Sequence, residues 1–177
     1  MAWTSAAEVM TSAKLNAGTA AGVATTSGGL IVATGTNTIT ERIPGFASTL
    51  PGAITCTGTN TTYLSLANLT GGAAFGSEIE VTVTTGAKAL VFFSSVMRNL
   101  TTELWTLLSF SVSGATTIAA ADSHAIWFES PNATFYASYG TFHMPTLTPG
   151  VNVFTLAARV QGGEGQFTYP KIGVIPL

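Results

Sequence analysis

Apolar and polar residues alternate one by one through several segments in the second half of this sequence. Between positions 78 and 84, Ile and Val alternate with Glu and Thr, and between 108 and 113, Leu, Phe and Val alternate with Ser. A period of two residues is that of a β-strand with one buried face. The run at 89–93, Ala-Leu-Val-Phe-Phe, is apolar throughout and predicts a strand in the interior of a sandwich. The pattern therefore predicts a core built from strands.

Turn signals separate these strand candidates at short intervals. Pro and Gly at 149–150 occupy the central positions of a type II turn, and the Gly-rich segment 161–165 predicts a hairpin loop. About seven or eight short strands follow one another between positions 61 and 177. The predicted fold class is all-β: an antiparallel β-sandwich with either jelly-roll or Ig-like connectivity.

Residues 1–18 are the one stretch of the sequence with good helix propensity. Ser5 and Glu8 have the spacing of a capping box at its start, and Gly18 is suited to its end. A helix of this length is marginal in water, so we expect it to pack against the body of this subunit or a neighbouring protein. We interpret 1–18 as a helical anchor. Its candidate partner-binding residues are Trp3, Val9, Met10 and Leu15.

Residues 19–60 are rich in Gly, Ala and Thr and are predicted to form an extended arm with one or two strands. An arm that adds a strand to a neighbouring subunit gains main-chain hydrogen bonds without needing special side chains. A flexible linker between the helix and the sandwich is the alternative interpretation. The remaining residues, 61–177, are assigned to the β-sandwich domain.

Charged residues are sparse. Six Lys or Arg and eight Asp or Glu make up 8% of the 177 residues, against about 25% in an average soluble domain. Six cations cannot neutralise a phosphate track, so no nucleic-acid binding is expected. No apolar run approaches the ~20 residues of a membrane-spanning helix, and no basic segment followed by an apolar one predicts a secretory signal. We expect much of the surface either to be covered by uncharged polar groups or to be buried against other subunits.

Few residues carry the marks of catalysis or metal binding. Asp122, Ser123 and His124 bring an acid, a hydroxyl and an imidazole together, but on a strand the serine would point away from the other two. We expect a polar turn there rather than a catalytic triad. Glu78 and Glu80 share a strand face, and a solvated face is the expected role rather than a Ca²⁺ site. The protein is therefore expected to be no enzyme and to hold no cofactor and no metal.

Glycan binding is the rival interpretation of the aromatic residues. A β-sandwich can stack an exposed aromatic ring beneath a sugar while nearby Asn, Asp or Glu side chains bind the hydroxyl groups. The alternative is that these rings fill the core or a subunit interface. Trp105 and Tyr139 are further candidate platforms. The candidate glycan contacts are Trp127, Glu129, Asn132 and Tyr136.

Several segments also follow a familiar order. They are Glu-Val-Thr-Val-Thr-Thr-Gly at 80–86, Ser-Phe-Ser-Val-Ser-Gly-Ala at 109–115, Leu-Thr-Pro-Gly at 147–150, and the ending at 160–177. Together they resemble the β-sandwich module common in structural proteins of tailed bacteriophages. Trp3 with the segment 8–16 is similar to an N-terminal tag of many phage virion proteins.

The resemblance implies a virion surface component, such as a capsid decoration protein, a head fibre, a tail fibre or a minor tail protein, and in many cases a trimer. We expect a capsid decoration (cement) protein that binds the outside of the head shell and stabilises it. Its partners would be the major capsid protein or other virion proteins. It would be located in the virion, assembled in the host cytoplasm. The alternative is a minor tail or tail-fibre protein whose sandwich binds a receptor or host surface glycan.

Overall fold

The computed structural model describes residues 30–35, 38–48, 55–72 and 76–177. Within these ranges the chain is almost entirely β, with one short 3-10 helix at Asp122–His124. The helical anchor expected at 1–18 lies outside the described residues. The strands are β1 (Leu30–Gly35), β2 (Thr38–Arg42), β3 (Gly45–Ser48), β4 (Thr55–Gly58), β5 (Leu64–Ser65), β6 (Glu80–Thr85), β7 (Ala89–Asn99), β8 (Trp105–Gly114), β9 (Ile126–Glu129), β10 (Ala137–His143), β11 (Gly150–Val160) and β12 (Gly165–Pro176).

Two antiparallel sheets pack face to face, which confirms the predicted all-β sandwich. In the first sheet the strand order is β10-β7-β12-β3, and β4 also pairs with β12. In the second sheet the order is β9-β8-β11-β6, and β5 also pairs with β11. β1 and β2 form a separate two-stranded hairpin.

The connectivity is that of a jelly roll. From β6 onward the chain crosses between the sheets at almost every step, because β7, β10 and β12 belong to the first sheet whereas β8, β9 and β11 belong to the second. Consecutive strands therefore seldom pair with each other. A sandwich wound in this way is a jelly roll rather than a stack of hairpins.

The arm assigned to 19–60 contributes two strands to the first sheet. β3 pairs with β12 over 171–174, and β4 pairs with the same edge of β12 over 165–168. Between these stretches the register of β12 shifts by one residue at Tyr169 and Pro170. Proline has no N–H to donate, so a bulge is the position where a strand tolerates it. A different short strand therefore pairs with β12 on each side of the bulge, β4 before it and β3 after it.

Alternation along each long strand builds the core. In β7 every second residue is buried and the residues between are half-buried. The aromatic ring of Phe110 on β8 lies 5.6 Å from Phe93 of the first sheet and 6.3 Å from Phe154 on β11. The fully buried members of this core, by decreasing size, include Phe110, Phe154, Phe167, Leu66, Met97, Leu108, Leu156 and Ile172.

One buried polar side chain ties the loops at an end of the sandwich. Asn152 on β11 is fully buried, and its Nδ2 donates to Thr85 Oγ1 at 2.8 Å and to the carbonyl oxygen of Thr148 at 3.2 Å. Its Oδ1 accepts from the backbone N–H of Thr116 at 2.8 Å. Because Thr85 ends β6 while Thr116 and Thr148 follow β8 and β10, this one amide fixes three connections at once.

Asn152→Ala is expected to lower the free energy of unfolding by about 2–3 kcal/mol, because it leaves buried polar groups without partners. Denaturant titration followed by circular dichroism measures the loss. Thr155→Ala is the matched control on the same strand: its hydroxyl reaches only the exposed Glu80 at 3.3 Å, so a change within about 0.5 kcal/mol is expected. Equal losses in the two variants would contradict the assignment.

Candidate functional site

The chain between β8 and β9 lies against the second sheet in two ways. At the edge of β8, Ile118 forms a two-way backbone bridge with Val112 and packs on the core. The hydroxyl of Ser109 on β8 points away from the core yet is fully buried, and it donates to the carbonyl oxygen of Ala121 at 3.1 Å. Residues 121–122 therefore act as a cover over this part of the outer face.

The carboxylate of Asp122 anchors the cover. Its Oδ1 accepts from the phenol of Tyr63 and from Nε of Arg159, each at 2.9 Å, and its Oδ2 pairs with Nη2 of the same arginine. The hydrogen bond from Arg159 holds the pKa of Asp122 below its ordinary 3.8. Burial, and then the bond to Asp122, raises the pKa of the Tyr63 phenol above its usual 10. The carboxylate thus keeps its charge and its partners over a wide pH range.

Asp122, Ser123 and His124 are consecutive in the sequence, but the acid and the imidazole bond to different partners. Asp122 bonds to Arg159 rather than to His124, and the Ser123 hydroxyl is exposed with its oxygen 3.5 Å from His124 Nδ1. The other ring nitrogen of His124, Nε2, lies 3.2 Å from the carbonyl oxygen of Phe110. Asp122 therefore does not orient the imidazole, as the acid of a hydrolase triad would.

His124 and His143 stack on each other at the edge of the sandwich. Their ring centroids are 5.2 Å apart with the planes tilted by 30°, and both rings contact Phe110, at 4.9 Å and 6.0 Å. His143 belongs to β10 of the first sheet, whereas His124 precedes β9 of the second, so the pair joins the two sheets. Burial, reinforced by the neighbouring His124, lowers the pKa of His143 below its ordinary 6.5.

A pair of tryptophans forms a rigid platform on the outer face of the second sheet. The rings of Trp105 and Trp127 lie 5.1 Å apart, and the indole N–H of Trp127 donates to the carbonyl oxygen of Asp122 at 2.9 Å. Glu129 is exposed on the same face, two residues along β9 from Trp127 and opposite Trp105 in the register. An immobilised indole next to a free carboxylate can stack on a planar or ring-shaped apolar surface and bind a hydroxyl beside it.

The other two candidate glycan contacts lie elsewhere. Tyr136 packs under the guanidinium of Arg98 at 4.3 Å, on the outer face of the first sheet. Asn132 uses its Oδ1 within its own turn, where it accepts from the backbone N–H and the hydroxyl of Thr134 at 3.0 Å and 2.8 Å. The structure thus brings Trp127 and Glu129 together and places Tyr136 on the other sheet. Trp3, Val9, Met10 and Leu15 lie outside the described residues.

The described part of the chain contains no group of three or more His, Cys, Asp or Glu side chains that could hold a metal ion. Of the two acidic residues considered for Ca²⁺, Glu78 accepts hydrogen bonds from the Ser65 hydroxyl at 2.8 Å and the Asn68 amide at 2.9 Å. Glu80 accepts from Thr155. In the same described ranges, no helix is long and apolar enough to cross a membrane.

Sequence reasoning missed a row of phenylalanines on the outer face of the first sheet. Phe46 and Phe142 are 68% and 69% exposed, and Phe92 is half-buried between them. The run at 89–93 was interpreted as interior because all its members are apolar. Strict alternation along that run places Phe92 and Phe93 on opposite sides of the sheet, with Phe92 on the outer face.

The sequence matches no protein-family model and no curated protein. Solved structures are similar in fold. One is the Eiger TNF of S. frugiperda, 12% identical over 77% of this chain and 92% of that chain, with a TM-score of 0.50. Another is infectious bursal disease virus VP2 in a subviral particle, 8% identical over 82% of this chain and 37% of that chain, with a TM-score of 0.47. A third is murine APRIL, 12% identical over 70% of this chain and 98% of that chain, with a TM-score of 0.38. The first of these likenesses supports the jelly-roll fold, and at such identities it supports the fold alone.

The histidine pair predicts a loss of stability in mild acid. Because the folded state lowers the pKa of His143, the unfolded chain binds the proton first as pH falls below 6.5. Stability is therefore full above that pH and declines as pH falls through the lowered pKa of the folded state. Urea unfolding at about pH 7.5 and about pH 5.5 measures the decline. The variant His143→Gln should show a smaller decline, and an unchanged one would contradict this role.

Proposed function

We propose that this protein is a non-enzymatic structural component of a bacteriophage virion. Its preferred role is that of a capsid decoration protein that binds the outside of the head shell as a homotrimer and stabilises it. Its partner would be the major capsid protein or another virion protein, and its location the virion. The fold supports the coarser part of this proposal, because jelly-roll sandwiches are suited to structural or binding roles.

The observation that carries the proposal is the surface of the sandwich. Only 8% of the residues are charged, while Phe46, Phe142 and Val151 expose more than half of their side chains. Exposed apolar area of this kind marks sites of protein–protein contact. A subunit that exists as one of many copies in a shell needs few charges, because its neighbours cover its apolar surface.

Stabilisation of the shell would follow mass action. Contacts that form only in the assembled shell lower its free energy relative to open or disassembled states. Many weak contacts repeated over a lattice add up, since each copy contributes to the same equilibrium. Immunogold labelling of intact particles tests the position: dense label over the head supports decoration, whereas label confined to the tail supports the alternative role and none on any particle contradicts both.

Deletion of residues 1–18 is expected to abolish attachment to the shell, because these residues are proposed to anchor the subunit. Co-sedimentation of the purified protein with undecorated particles measures attachment. Thermal unfolding serves as the control, since the described strands all lie outside the deleted segment and the transition should persist. A truncated protein that still decorates particles would contradict the anchor hypothesis.

The second candidate function is recognition of a host surface glycan by a minor tail or tail-fibre protein. The Trp105–Trp127 pair favours it, because Trp127 is held rigidly and remains 46% exposed beside the carboxylate of Glu129. A fixed aromatic ring loses little conformational entropy when a sugar stacks on it. Tyr136, on the other sheet, is covered on one side by Arg98 and is a weaker platform.

A glycan array distinguishes this candidate. Trp127→Ala should weaken any binding about ten-fold or more, since stacking is lost. Tyr136→Ala removes an aromatic of nearly equal exposure, 48% against 46%, and should leave binding unchanged. Equal losses in the two variants, or no binding by the unaltered protein, would contradict glycan recognition at the tryptophan pair.

A further inference from the structure

Three phenylalanines from three strands line up in one row across the outer face of the first sheet. In the register of the sheet, Phe142 of β10 lies opposite Phe92 of β7, Phe92 lies opposite Gly173 of β12, and Gly173 lies opposite Phe46 of β3. The row runs from one edge of the sheet to the other. We call the side chains of Phe46, Phe92 and Phe142 the phenylalanine ridge.

The single glycine in this row shapes the ridge. A Cβ on Gly173 would lie 2.3 Å from the ring of Phe92 and 2.8 Å from that of Phe46, so a larger residue would displace both rings. With glycine in place, the ring of Phe92 rests on the backbone of β12. Its centroid is 5.6 Å from that of Phe46, at an angle of 52°. The two rings thus support each other over the sheet.

A trough with a floor of mostly small side chains runs beside the ridge. The next row of the register holds Gly140, Ser94, Lys171 and Ser48. The trough contains two grooves, one of ≈ 360 Å³ reaching from the Phe46 side and one of ≈ 340 Å³ on the Phe142 side. Both grooves are shallow and open to solvent, so a phenyl side chain from another molecule can lie along them.

The size of this face suits a specific protein interface. Its strands range from 4 residues in β3 to 12 in β12, and at about 3.3 Å by 4.8 Å per residue the outer face covers about 600 Å². A standard interface buries about 800 Å² on each partner, so the face is comparable in size. Leu90 and Ile175, opposite each other in the next row beyond the ridge, extend its apolar part. An isolated subunit would leave most of this area in water.

The charges on the face favour a second copy of this chain over a charged partner. Of the described residues that line the two grooves, Lys171 alone is charged. A partner recognised through charge would need complementary groups here. Copies of a chain with a net charge of only −2 also repel one another little. The face therefore offers shape and apolar contact, and both are available from another copy.

We infer that the face carrying the phenylalanine ridge is the surface through which copies of this chain associate, with Phe142 of one copy seated in the groove that Phe46, Phe92 and Lys171 line on the next. The two contacting parts lie at opposite edges of the same sheet. Where the contact is not reciprocated between the same two copies it is heterologous, and such contacts can close into a ring. The inference specifies the subunit contact of the proposed homotrimer and does not depend on a location in the virion.

The first test is the native mass of the full chain. For the unaltered protein we expect three times 18.1 kDa. Phe142→Ser and Phe46→Ser should each weaken association about 30-fold or more, because a central aromatic side chain contributes heavily to an interface. At low micromolar concentration these variants should have the mass of a single chain. Val151→Ser is the matched control, since Val151 is 55% exposed on the second sheet, and it should leave the mass unchanged.

A cross-link tests the pairing without relying on destabilisation. In a Cys56→Ser background that keeps Phe142, one sample of the protein carries Met144→Cys, two residues from Phe142 and 49% exposed, and another carries Ser48→Cys, since Ser48 lines the groove. After the two are mixed and oxidised, a disulfide-linked pair containing one chain of each kind is expected. Neither sample alone should form it to the same extent. Failure to cross-link in an oligomer of normal mass would overturn the proposed seat for Phe142.

The remaining outcomes separate this inference from the proposed function. An unaltered protein with the mass of one chain would overturn self-association, while immunogold labelling of particles could still succeed. A trimer that persists in both phenylalanine variants would overturn the assignment of this face and leave the trimer itself intact. In that case the ridge would be covered by another part of the chain, such as residues 1–29, or by a different protein.

Discussion

The contact between Phe110 and its aromatic neighbours is the interaction on which the rest of this structure depends. Phe110 reaches Phe93 across the interior, and it also supports the stacked rings of His124 and His143 at the edge. Core packing and edge closure therefore share one side chain. Because interiors are close-packed, a change in the protonation of His143 would be felt by the core itself, which is why mild acid is expected to act on global stability.

The two outer faces of the sandwich meet different requirements. On the second sheet, residues 121–122 cover part of the outer face, and the Asp122–Arg159 pair anchors them there. On the first sheet, the outward-facing residues of β7 from Leu90 to Val96, which are Leu90, Phe92, Ser94 and Val96, carry no charge. Since each strand can bury only one face within its own sandwich, an apolar outer face requires a cover from elsewhere. The difference between the two outer faces is therefore a property of this sequence, and the fold alone does not require it.

Local patterns predicted the strands well, because each half-buried strand shows its period in a few residues, as at 78–84 and 108–113. Nearness along the chain grouped Trp127 with Glu129. It could not show that Tyr136 lies on the other sheet, since crossings between sheets depend on long-range pairing. Nor could it show that Asp122 bonds to Arg159, 37 residues away. For the run at 89–93 the local signal was ambiguous, because an apolar outer face and a second buried face look alike in sequence.

The two proposed surfaces are compatible only in one arrangement. If the phenylalanine ridge lies between copies, the first sheet faces the centre of the oligomer and the second sheet faces outward. The tryptophan pair and Glu129 would then remain accessible in the assembled protein, repeated once for each copy. Repetition matters for weak ligands, because several sites held at fixed distances bind a multivalent surface far more tightly than one. Glycan recognition by the oligomer would therefore be much stronger than by a subunit that carries Phe142→Ser, whereas a site on the first sheet would be occluded by assembly.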